Sequence, residues 1–160
     1  METEILEKAL DQIRSQIENG QPITPEFTND DMALLYSLGH SLYKFGDYAQ
    51  ARKIFQHLIL AQPYERKNWH AFACACQMTE HYKEALTGYS LSAMFDENDP
   101  VPHFHAGECL YSLGDFDEGE RALRATEERL GDKAQHEELR GKIAMLRRSD
   151  DNTRPSQPTI

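Results

Sequence analysis

The side chains in this sequence with the widest chemical repertoire are its histidines and cysteines. His103 and His105 form a His-x-His pair, Cys109 lies four residues past His105, and His70 and Cys74 are also four apart. Residues at i and i+4 share one helix face, so either set could in form hold zinc. The rest of a metal site is missing. There is no Cys-x-x-Cys, and no carboxylate pattern marks a partner for a ligating imidazole. The three cysteines, Cys74, Cys76 and Cys109, are odd in number and lack framework spacing. They read as free thiols in a reducing compartment, packed as small apolar residues. No Gly-rich phosphate loop and no Gly-x-Ser-x-Gly is present. The reading is therefore no enzyme, no cofactor and no resident metal. A metal-dependent protein built on His103, His105 and Cys109 stands as the remote alternative.

The chemistry that remains is recognition, and its elements come from a repeat. Leu35, Leu38-Gly39, Leu42, Gly46, Tyr48, Ala51, Phe55 and Pro63 fall at positions 4, 7 and 8, 11, 15, 17, 20, 24 and 32 of one 34-residue unit. This is the tetratricopeptide pattern, two helices joined by a tight turn. The spacing recurs. Gly39 maps to Ala73 and Gly107, Tyr48 to Tyr82 and Phe116, Ala51 to Ala85 and Gly119, and Phe55 to Tyr89 and Leu123. The departures are Glu80 where the turns of the other units have Gly46 and Gly114, His103 at the first core position of the third unit, and Gly119 in place of Ala, which is expected to loosen the helix that carries it. The fold class is all-α: three tandem repeats over 32–65, 66–99 and 100–133, each burying its apolar face on its neighbour.

Flanking segments complete the organisation. Residues 1–31 hold an amphipathic helix with Ile5, Leu6, Ala9, Leu10, Ile13 and Ile17 on one face, followed by a linker with Pro22 and Pro25. That helix reads as a cap on the solenoid, as a dimerisation helix, or as both. Asn29 or Asp30 is the expected N-cap of the first repeat. Residues 134–148 form a capping helix with an apolar stripe of Ala134, Leu139, Ile143 and Leu146, and 149–160 are polar and proline-bearing, a disordered tail. The formal net charge of −10 argues against nucleic acid and against direct binding to an anionic membrane. The first ten residues carry three glutamates and no apolar run, so no signal peptide is expected.

In this architecture positions 2, 5, 9 and 12 of each first helix face a concave surface. They are Ala33, Tyr36, His40 and Tyr43, then Lys67, His70, Cys74 and Gln77, then Val101, Phe104, Glu108 and Tyr111. Packing between repeats is expected to leave them free. Four of the twelve are aromatic, with polar groups between them. Such a groove suits an extended peptide with alternating apolar anchors. It does not suit a carboxylate clamp, because Lys67 is the only cation among them. On residues alone, a generic repeat scaffold joining folded proteins is the alternative reading.

Leu34 to Gly39, Tyr43, Gly46, Ala51 to Leu58, Tyr89-Ser90, and above all Phe104-His105-Ala106-Gly107-Glu108-Cys109 resemble the class II chaperones of bacterial type III secretion, and so does the layout over residues 5–148. The resemblance implies a cytoplasmic protein of a Gram-negative bacterium that binds hydrophobic, pore-forming translocator proteins and keeps them soluble and secretion-competent. It implies a homodimer formed through the N-terminal region, and in some members an AraC-type transcription activator as a further partner. It places the client segment on Tyr36, His40, Tyr43, His70, Cys74, Phe104 and Glu108, with Lys67, Gln77 and Tyr111 completing the groove.

Overall fold

The computed structural model describes residues 27–151, together with Glu7, Lys8, Asp11, Arg14, Ser15, Glu18 and Asn19. The expected dimerisation residues Ile5, Leu6, Leu10, Ile13 and Ile17, and the tail from 152 onward, lie outside the described residues. Among the described residues there are seven helices and no strand: α1 (Asn29–Lys44), α2 (Tyr48–Ala61), α3 (Arg66–Met78), α4 (Tyr82–Phe95), α5 (Pro100–Ser112), α6 (Phe116–Glu127) and α7 (Ala134–Asp151). Each of α1 to α5 packs on the next, α7 returns onto α5, and first helices of successive repeats meet directly, so α1, α3 and α5 form one layer.

Local chemistry sets the helix ends. Thr28, not Asn29 or Asp30, caps α1. Its hydroxyl accepts from the Asp31 N–H at 3.2 Å while its own N–H donates to the Asp31 carboxylate at 2.8 Å. This reciprocal capping box satisfies more orphan groups than a lone Asn or Asp would. Asp47 and Asp115 cap α2 and α6 by accepting from Gln50 and Glu118 N–H groups. Asp99 caps α5 and accepts from the Val101 N–H at 2.9 Å, with Pro100 in the first turn, where a missing donor costs nothing.

The turns inside the repeats share one backbone shape. Gly46 and Gly114 have φ of +86° and +79°, and Glu80 adopts φ +61° although it has a Cβ. The second turn thus keeps the repeat geometry against the preference of its residue. It also lacks the aspartate cap: His81, at the equivalent position, makes no side-chain cap bond.

Two apolar clusters hold the solenoid. The larger joins the first two repeats around Phe55, Leu58, Phe72, Cys76 and Tyr89 and reaches Cys109. The smaller joins the third repeat to α7 through Phe104, Leu123, Leu139 and Ile143. Arg66, at the start of α3, donates to the Ser92 carbonyl at 3.2 Å and pairs with Asp99, which ties α3 to α4 and to the cap of α5. Helix α7 runs to Asp151, past the boundary that its polar composition suggested. Arg147 lies in its last turns and bonds Glu120 at 2.7 Å and Glu127 at 2.7 Å on α6. Those ion pairs fasten a stretch with few apolar residues.

A Cβ added at Gly119 would stand 2.5 Å from Tyr111 Cδ2, so the tyrosine ring fills the space an alanine methyl would take.

Candidate client-binding groove

The first-helix layer carries most of the expected groove residues on one surface. At the α1 end, Tyr36 is half-buried, its ring tilted against Phe55 at 5.8 Å, while the exposed His40 stacks beside it at 6.4 Å. Lys67, on α3, holds its ammonium 5.0 Å from the centre of the Tyr36 ring, a cation–π contact that joins repeats one and two. Tyr43 packs edge-on against Tyr48 at 5.0 Å. These aromatics are therefore both wall and surface: each ring packs on its neighbours and stays half-exposed.

At the α5 end the surface becomes a hydrogen-bonded network. Tyr89 on α4 donates its hydroxyl to Gln77 Oε1 at 2.7 Å and lies 3.4 Å from Cys74 Sγ. Gln77 Nε2 donates to Glu108 Oε2 at 2.9 Å, and His105 Nδ1 donates to the same oxygen at 2.7 Å. The His105 ring stacks on Tyr89 at 5.4 Å, and His70 stands 5.8 Å from Tyr89 and 6.2 Å from His105. Three helices are thus locked together by one chain of polar groups. Burial would raise the carboxyl pKa of Glu108, but the bonds from His105 and Gln77 outweigh it and hold the group below its ordinary value. Burial lowers His70 to about 4, helped by the nearby His105, so it is neutral. Its Nδ1 has no hydrogen-bond partner among the described residues.

One expected groove residue is corrected. Phe104 is 2% exposed and packs with Leu123, Leu139 and Ile143 under α7. The assumption that packing spares these positions fails here because the final helix covers the end of the layer. Tyr111 is half-buried over Gly119 and donates to Glu120 at 3.2 Å. Beside Phe104 the surface opens into a cavity of about 610 Å³ that Val101, His105, His136, Leu139 and Lys142 help to line. His105 was not expected in the groove, and its i, i+3 spacing to Glu108 was the signal available for it. Tyr89 is a core residue, 1% exposed, that joins the network from beneath through its hydroxyl.

Cys76 and Cys109 are fully buried and burial pushes both thiols up to about 12. Among the described residues no three of His, Cys, Asp or Glu are grouped to hold a metal ion, and His103, His105 and Cys109 are not brought together as one set. His103 instead faces a cavity with Pro102, Ala106 and Arg129. No described helix is long and apolar enough to cross a membrane.

A tetratricopeptide repeat model matches residues 67–99. The chain is 31% identical over 121 residues to the low calcium response locus protein H of Yersinia pestis, covering 76% of this chain and 72% of that protein. The chain belongs to the translocator chaperones of type III secretion. Solved structures of this chaperone family agree in shape. The chaperone SycD of Yersinia enterocolitica, in complex with a peptide of the translocator YopD, superposes with a TM-score of 0.72 at 29% identity over 79% of this chain and 96% of that one. PcrH, of Pseudomonas aeruginosa, in complex with the chaperone-binding region of PopD, gives a TM-score of 0.72 at 31% identity over 81% and 98%.

Proposed function

We propose that this chain is a cytoplasmic, non-catalytic holding chaperone for hydrophobic type III translocator proteins, and that an extended segment of the client lies across the first-helix layer. The observation that carries this is the surface itself: half-buried rings of Tyr36, Tyr43 and Tyr111 with polar groups between them, on a fold whose family members are described in complex with translocator segments. An extended strand places alternate side chains on one face, which suits apolar anchors inserted between the rings. The net charge of −10 keeps such a holder soluble while it masks apolar segments. Dimerisation through the N-terminal amphipathic segment belongs to the same proposal.

The test is affinity capture from the source cell with secretion blocked, run in parallel with the intact chain and with a Tyr36→Ala/Tyr43→Ala variant. The expected result is one or two proteins with long apolar segments, retained by the intact chain and lost from a variant whose helical content is unchanged. Folded soluble assemblies retained equally by both would favour the generic scaffold and overturn the proposal.

A further inference from the structure

The groove carries two opposite charges at fixed places. Lys67 Nζ stands over the Tyr36 ring, exposed, where repeats one and two meet. The Glu108 carboxylate stands where repeats two and three meet, bonded through Gln77 to the far end of α3. Only its Oε2 is engaged; no hydrogen bond among the described residues reaches Oε1, and the side chain is 33% exposed. Lys67 and Gln77 are ten residues apart on α3, which is about 15 Å along the helix axis. An extended chain covers that distance in about four or five residues.

Resting on the client-holding reading above, we propose that the groove selects charge as well as apolar shape: the client segment sets a Lys or Arg side chain on Glu108 Oε1 and, about five residues away, an Asp or Glu side chain on Lys67.

The groups around Glu108 support a cation as its guest. From α5, His105 donates to Oε2, and from α3, Gln77 donates to the same atom. From α7, Lys142 contributes a favourable field, but its ammonium is already paired with Glu138 at 2.7 Å. Tyr43, Cys74 and Cys109, the other titratable groups close enough to interact, are neutral because burial raises all three. The carboxylate is thus ionised, half-screened from water and short of one partner. A client carboxylate placed there would be repelled, whereas a cation gains a charge-assisted bond. The Lys67 end is more exposed, so its preference is weaker.

Selection of displayed random 12-residue peptides on the intact chain, on Glu108→Gln and on Lys67→Glu tests this. Peptides enriched on the intact chain are expected to carry an acidic and a basic side chain four to six residues apart, in one fixed order, among apolar residues. Glu108→Gln should erase the basic preference and weaken an enriched peptide about tenfold. Lys67→Glu, a change at an exposed side chain, should reverse the acidic preference and weaken the same peptide about threefold. Enriched peptides with apolar residues but no charge pair, or with preferences unchanged in both variants, would overturn this inference and leave the client-holding reading intact. Enriched peptides that bind Tyr36→Ala/Tyr43→Ala as well as the intact chain would overturn both.

Discussion

The Tyr111 ring lies on the bare Cα of Gly119, so that a Cβ at position 119 would stand 2.5 Å from Tyr111 Cδ2. The repeat consensus has alanine there, and a consensus change ordinarily stabilises. Here the sign is opposite. Gly119→Ala should cost about 1 kcal/mol net, overpacking of about 2 kcal/mol against a helix-propensity gain of about 1 kcal/mol. In a Tyr111→Ala background the same change should stabilise. Urea unfolding of the four chains of this cycle measures both, and additive effects would show that the two residues do not share the space.

Glu80 gives the contrary case. Its φ of +61° places a Cβ where the other repeats have glycine, at a cost of about 1–2 kcal/mol. Glu80→Gly removes that strain and adds unfolded-state entropy, for a net stabilisation of about 0.5–1 kcal/mol. A higher urea midpoint with unchanged slope is the expected observation. A lower midpoint would mean that the turn carries no strain.

Phe104→Ala separates core from groove. Truncating a ring that is 2% exposed among Leu123, Leu139 and Ile143 should cost about 3–5 kcal/mol. Loss of client binding by this variant would therefore report a weakened third repeat. Hydrogen exchange should show α7 losing protection first, since this cluster supplies the apolar contact that holds it to the solenoid.

Stability should fall with mild acid. Burial holds His70 near 4 and also lowers His57 and His103. In the unfolded chain these imidazoles titrate near 6.5. Between those values the unfolded state binds more protons, so stability is full above about pH 6.5 and declines toward pH 4. For His70 the decline is about 1–2 kcal/mol by pH 5. Thermal melts at pH 7 and pH 5 read it, and His70→Gln should narrow the difference. An equal decline in that variant would assign the effect to the other two histidines.

What the sequence made legible was whatever local spacing determines. The 34-residue period placed the six repeat helices, because Gly39, Ala51 and Phe55 perform the same packing task in each unit. Two kinds of feature escaped it. Phe104 sits at a position that is only partly covered in the first two repeats, and the return of α7 buries it. The Tyr89–Gln77–Glu108–His105 network needs three helices in register, a distance relationship that no single helix encodes. The capping box at Thr28 was within reach, since Thr28 and Asp31 are three apart, but adjacent Asn29 and Asp30 offer the same chemistry one residue on.

A client that lies on the first-helix layer is within reach of site-specific photo-crosslinking from that layer. A photoreactive phenylalanine analogue is placed at His40, exposed beside Tyr36 on that layer, and separately at Leu60, 71% exposed on α2. In cells with secretion blocked, position 40 should crosslink to a protein with long apolar segments and position 60 should not. Crosslinks to such a protein from position 60 with none from position 40 would contradict that placement of the client.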